Sequence, residues 1–167
     1  HPRTSTARGA AMLNPPLRSL TSRGFSLMEL LVVLAIVALL MTLGLPSYQS
    51  HVRKLRRAEA LEAIARIQQA QERRRADQPR YAGSLGSSGL NLPDSSTGGR
   101  YRLSVGSPQG QEAQSYWVRA TALAEQALDQ PCAVLQVDMN GAGTVYRSGP
   151  DSLLANGAED NRRCWNL

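Results

Sequence analysis

Hydrophobic and polar positions divide the chain unevenly. From Phe25 to Leu45 the sequence FSLMELLVVLAIVALLMTLGL is apolar almost without a break, and Glu29 is its only strongly polar residue. A helix of about 20 such residues crosses a hydrocarbon core. The run holds thirteen Leu, Ile, Val or Phe residues. At roughly −0.3 to −0.6 kcal/mol each, they outweigh about +3 kcal/mol for one buried acid, so insertion into a membrane is favourable.

After Pro46 the pattern stays helical but becomes amphipathic, with Leu55, Leu61, Ile64, Ala65 and Ile67 on an apolar stripe and a Glu62–Arg66 pair at i, i+4. The helix is expected to run to about Asp77, where Pro79 stops it. Pro46 removes a backbone donor and, with Gly44 just before it, is expected to bend or loosen the helix. Residues 78–100 are rich in Gly, Ser and Pro and read as an irregular connection.

Four short β-branched or alternating segments follow: Tyr101–Val105, Tyr116–Ala122, Val134–Met139 and Thr144–Arg147. Asn140-Gly141 between the last two predicts a tight hairpin, because that pair accepts positive φ. The fold class is therefore α+β, one long helix packed on a four-stranded antiparallel sheet. The segments are 1–24, a leader; 25–45, membrane-spanning; 46–77, amphipathic helix; 78–100, connection; and 101–167, sheet and C-terminal region.

Charge changes the picture once it is placed along the chain. Nineteen Lys and Arg against thirteen Asp and Glu give +6. Four of those arginines, Arg3, Arg8, Arg18 and Arg23, precede Phe25 with no acid among them, so a product beginning at Phe25 carries +2. The excess in that product lies between Arg53 and Arg75, whereas from Gln78 onward seven arginines face eight acids. Basic residues flank both ends of the apolar run, so they do not decide its orientation. The first residue is His, which reads as an upstream extension or a fragment, with Met12 as the expected start.

Candidate chemistry is sparse. His1 and His51 are the only histidines, and no nucleophile elbow, phosphate loop or His-rich metal motif occurs. An enzyme is not expected, nor a cofactor. Asp138-x-Asn140-Gly141 opens like a calcium loop, but its closing position falls on Gly149 rather than a glutamate, so a hairpin without metal is the favoured reading. Arg73-Arg74-Arg75 suits phosphate contacts or a solvated helix face. Cys132 and Cys164 lie in no Cys-x-x-Cys or Cys/His cluster, and a structural disulfide is the default if the domain is exported.

No small-x-small site follows Leu45; instead Arg23-Gly24 stands directly before the apolar run, and cleavage there leaves the helix on the product. The segment Gly24-Phe25-Ser26-Leu27-Met28-Glu29-Leu30-Leu31-Val32-Val33, with Pro46-Ser47-Tyr48 downstream, resembles the N-terminal signal of type IV pilins and pseudopilins. An ordinary single-pass signal anchor is the alternative. The resemblance implies that a prepilin peptidase cuts between Gly24 and Phe25 and methylates Phe25. It implies that Glu29 pairs with the Phe25 amine of a neighbouring subunit and sets axial register, and that the helix around Gly44 and Pro46 stretches in a filament.

Farther on, Pro131-Cys132, the Asn140-Gly141 turn and Cys164-Trp165 resemble the C-terminal region of minor pilins of the PilE and ComP group. Trp165 is then a packing residue beside a Cys132–Cys164 bridge. The implied function is a structural subunit of a pilus for twitching motility, adhesion or DNA uptake. Implied partners are other pilin subunits, the prepilin peptidase, the inner-membrane assembly machinery and, before assembly, membrane lipid. The implied location is the inner membrane, single-pass with the head outside the cytoplasm, and then the pilus. Two further readings stay open: a ComP-like DNA receptor, with Arg73, Arg74, Arg75, Arg100 and Arg102 as contacts and a basic patch on the head where Arg100, Arg102, Arg119, Arg162 and Arg163 converge, and a type II secretion pseudopilin.

Overall fold

The computed structural model describes residues 24–167, apart from the side chains of Leu43 and Gly44. The leader up to Arg23, the expected start at Met12 and the Gly44 half of the expected kink lie outside the described residues. Helix α1 spans Leu27–Asp77 and contains Pro46. Strands β1 Tyr101–Gly106, β2 Tyr116–Ala122, β3 Val134–Asn140 and β4 Gly143–Gly149 follow, with a 3-10 turn at Ala124–Leu128 and helix α2 at Ala158–Trp165. Two compact units divide at Met41 and Thr42.

In the first unit α1 begins behind Ser26, whose hydroxyl accepts from the Met28 amide at 3.3 Å and whose carbonyl accepts from the Leu30 amide at 3.1 Å. The first bond satisfies an amide that a helix start leaves without an intrahelical partner, and the second is the first i→i−4 bond of the helix. Leu27, Leu30, Leu31, Val32 and Val33 all face outward, uncovered by protein. A helix apolar all round suits lipid or other helices, not water.

The second unit holds the four strands as an antiparallel meander in the order β1-β2-β3-β4. Alternation sends Tyr101, Leu103, Val105, Tyr116, Val118, Ala120, Leu135 and Val137 to one buried face, where they meet Ala60, Ala63, Ile64 and Ile67 of α1. Burying Ile64 and Ile67 contributes about 1.5–3 kcal/mol each. Alanines at 60 and 63 let the sheet approach the helix backbone. Leu55 and Ala65, expected on the apolar stripe, are exposed instead. The stripe that packs is Arg57, Ala60, Ile64, Ile67 and Gln71, spaced for one helix face and polar at both ends.

Those polar ends are satisfied. Gln71 makes a two-point clamp on the connection, donating to the Ala82 carbonyl and accepting from the Ala82 amide, both at 2.8 Å. Glu59 takes the Ser96 hydroxyl, the Gly98 amide at 2.6 Å and Arg100 Nη1 at 2.8 Å.

The hairpin forms one residue later than expected: Asn140 pairs with Gly143, the loop is Gly141-Ala142, and positive φ falls on Gly143 at 139°. The Asn140 side chain explains the shift, because its Oδ1 accepts from the Ala142 amide at 2.9 Å and closes an Asx turn. Cys132 and Cys164 form the expected disulfide. Trp165 packs edge-on against Tyr146, centroids 4.9 Å apart, and its indole N–H donates to the Arg147 carbonyl at 3.0 Å.

Candidate functional site

At the N-terminus, Phe25 is exposed and stands two residues ahead of α1, and Glu29 lies exposed in the helix's first turn. Gly24 has open space around it. Pro46 lies within α1, so its place is helical and the helix lacks one donor there.

A buried polar network ties the base of the head together. Arg57 Nε donates to Asp129 Oδ2 at 2.6 Å, Nη2 to Oδ1 at 3.2 Å, and Nη1 to the Arg163 carbonyl at 3.0 Å. Gln126 Nε2 reaches the Arg53 carbonyl at 3.0 Å and the Tyr101 hydroxyl at 2.9 Å. Burial pushes Tyr101 up to about 12, against the opposing Gln126 hydrogen bond. Hydrophobic patterning misses these groups because it counts Arg, Gln and Asp as surface.

The basic residues named from the sequence do not form one patch, although Arg102 and Arg119 share a sheet face. Arg74 Nη1 bonds the Gly89 carbonyl at 3.2 Å, and Arg75 bonds the Gln78 carbonyl at 3.3 Å and lies over the Tyr81 ring. Arg73 borders a shallow groove with Gln69 and Glu72. Arg100 is tied to Glu59, fifteen residues before Arg74 on α1, which is about 22 Å of helix axis. Arg162 and Arg163 line a separate cavity of about 400 Å³ with Lys54, Arg57 and Glu159.

Arg102 does gain neighbours. It shares the outer sheet face with Arg119, Gln136 and Arg147, because Arg102 pairs with Thr121, and Arg119, Gln136 and Arg147 stand in one cross-strand row. Arg119 lies over the Trp117 ring at 5.4 Å and donates to Gln136 at 2.7 Å; Arg147 pairs with Asp138 at 3.1 Å. Trp117 and Arg147 were not anticipated as site residues. The strand alternation was the available signal, since it assigns both to the face turned from the helix. Asp138 is thus engaged by an arginine, and among the described residues no three His, Cys, Asp or Glu gather as a metal site.

The family described as type IV minor pilin ComP, DNA uptake sequence receptor, matches residues 46–136. The chain belongs to that family. The prokaryotic N-terminal methylation motif matches residues 20–45. No curated protein matches the chain. The chain is a type IV minor pilin with the α+β pilin fold, and the ComP match covers the amphipathic helix, the connection and the sheet into β3. The family is one of structural pilins, which implies assembly into a pilus with other pilins and processing by the prepilin peptidase. The apolar N-terminal helix fits a membrane-anchored subunit.

Proposed function

We propose that the chain is cleaved between Gly24 and Phe25, methylated on Phe25, held in the inner membrane by residues 25–45 with its head outside the cytoplasm, and then drawn into a pilus. Two matches lying end to end, the methylation motif to residue 45 and the minor-pilin family from residue 46, carry this reading. The mechanism is assembly rather than turnover. Glu29 is the one acid in the apolar run; an acid in lipid needs a cationic partner, and the amine created at Phe25 of a neighbouring subunit supplies one. Gly44 and Pro46 mark the zone where the helix can extend. The segments 1–24, 25–45, 46–77, 78–100 and 101–167 serve as leader, anchor, helix support, connection and head.

Mass spectrometry of unreduced protein from membranes and from sheared pili tests this. A mature N-terminus at Phe25 with one methyl group, in the pilus fraction, is the expected result. An uncut leader, or protein confined to membranes, overturns it.

A second reading, a DNA receptor displayed on the filament, is supported by the outer sheet face, where Arg102, Arg119 and Arg147 outnumber Asp138 and Trp117 offers a stacking surface. Duplex DNA titrated against the full chain in detergent should bind with steep salt dependence. Absence of binding at low salt removes this reading.

A further inference from the structure

The polar groups on the outer sheet face are joined in one unbroken chain. Arg119, Gln136 and Arg147 stand directly opposite one another on β2, β3 and β4, and Asp138 lies two residues along β3 from Gln136. Arg119 Nε donates to Gln136 Oε1 at 2.7 Å, Gln136 Nε2 donates to Asp138 Oδ1 at 2.7 Å, and Asp138 Oδ2 lies 3.1 Å from Arg147 Nε. Both ends of the amide are thereby fixed, because a guanidinium only donates and a carboxylate only accepts. Gln136 is 6% exposed, so water competes little for its two bonds.

Arg119 is held from a second direction. Its guanidinium lies over the Trp117 ring at 5.4 Å. The indole in turn lies across Gly106, its partner on β1, where a Cβ would come within 2.5 Å of Trp117 Cζ2. Only glycine leaves room there for the ring to lie against the sheet.

Both arginines are engaged through Nε, and among the described residues no hydrogen bond occupies their Nη atoms. The Nη1–Nη2 edge of a guanidinium can grip a phosphate with two bonds. Two strand spacings, about 10 Å, separate the backbones that carry these edges. A side chain already held in place loses less freedom on binding than one that must be ordered. Asp138 therefore acts against its own charge: it weakens the basic field of the face, yet it fixes one of the guanidiniums that create it.

We propose that Gln136 and Asp138 are positioning residues that hold Arg119 and Arg147 as a preorganised pair for two phosphates of a nucleic-acid backbone. The inference rests on the DNA-receptor reading above and deepens it, since binding then depends on a fixed geometry and not on positive charge alone.

The test titrates duplex DNA against the full chain in detergent at several salt concentrations, with Gln136→Leu and Asp138→Asn as variants. Gln136→Leu keeps every charge and should weaken binding about threefold to tenfold. Its slope of log affinity against log salt should stay unchanged, because the same phosphates are neutralised. Asp138→Asn separates geometry from charge. It removes an acid from a basic face, so a field acting alone predicts tighter binding, whereas positioning predicts binding weaker by at least about twofold. Thermal midpoints are measured alongside; if Gln136→Leu loosens the fold, Asp138→Asn, at a less buried position, decides alone. Unchanged affinity in Gln136→Leu, or tighter binding in Asp138→Asn, overturns this inference and leaves the receptor reading standing. A lower salt slope in Gln136→Leu also overturns it, because a phosphate contact itself is then lost. No binding by the unsubstituted chain at low salt overturns the receptor reading and this inference together.

Discussion

Arg57 and Asp129, 72 residues apart in sequence, meet in the buried base of the head through two hydrogen bonds, Nε to Oδ2 at 2.6 Å and Nη2 to Oδ1 at 3.2 Å. The pair fastens the turn before β3 to the helix that bears the head. It also fixes the C-terminal helix, since the same guanidinium takes the Arg163 carbonyl. Removing one partner leaves the other charge buried and unpaired, which costs about 3–5 kcal/mol, whereas replacing both by apolar groups is often neutral. Asp129→Ala should therefore lower the urea midpoint strongly, and Arg57→Met with Asp129→Leu should recover most of the loss. Similar midpoints for the single and double variants would contradict this account.

Glu59 should give the head a specific acid sensitivity. Burial raises its pKa, but hydrogen bonds from Ser96, Arg100 and Gly98 together outweigh burial and hold the carboxyl below its ordinary 4.5. A carboxyl depressed in the folded state adds stability above its unfolded pKa and loses it as pH falls through the lower folded value. The contribution is therefore full above about 4.5 and is lost progressively as pH falls from there through the lower folded value. Glu59→Gln should flatten the acid limb of a stability-against-pH curve while shifting the neutral plateau less. An unchanged acid limb would assign the sensitivity elsewhere.

Reduction should act on the C-terminal region first. Cys132 and Cys164 close a loop with a separation of 32 residues, which on the loop-entropy account stabilises the fold by about 4 kcal/mol. Beyond the bridge, α2 is held by the Trp165–Tyr146 contact, the Arg57–Arg163 bond, and Asn161 donating to the Tyr146 carbonyl at 2.5 Å. Cys132→Ser with Cys164→Ser should lower the thermal midpoint and raise hydrogen exchange in α2 and β4 before β1 and β2. Uniform loss of protection across the sheet would mean the bridge supports the whole head equally.

Much of this was legible in residue patterns. The apolar run, the amphipathic half of α1, the strands and the disulfide follow from periodicity, strand alternation and an isolated cysteine pair. What escaped was polar and buried. Nothing in the pattern marked Arg57, Gln71 and Gln126 as buried, because the partners that bury them come from other segments of the chain. Leu55 was assigned to the stripe on hydrophobicity, yet Ala60 and Ala63 occupy the contact, where small side chains admit the sheet. Helix α2 carried a signal that went unused: Glu159 and Asp160 open it and Arg162 and Arg163 close it, matching the helix dipole. Convergence of arginines could not be read from the chain, since it depends on which strand face each one occupies.

Those faces make the DNA reading testable by location. Arg119 and Arg147 flank Gln136 on the outer sheet, while Arg73 and Arg75 sit at the far end of α1. Each phosphate contact that releases a counterion contributes about 0.9 to the slope of log affinity against log salt. Arg119→Gln with Arg147→Gln should lower that slope by about 2, and Arg73→Gln with Arg75→Gln should leave it unchanged. Arg119 and Arg147 bond only side chains of their own sheet face, Gln136 and Asp138, so their loss should leave the fold's thermal midpoint nearly in place. The reverse result, with the helix-end pair controlling the slope, would move the nucleic-acid contact off the sheet and onto the end of α1.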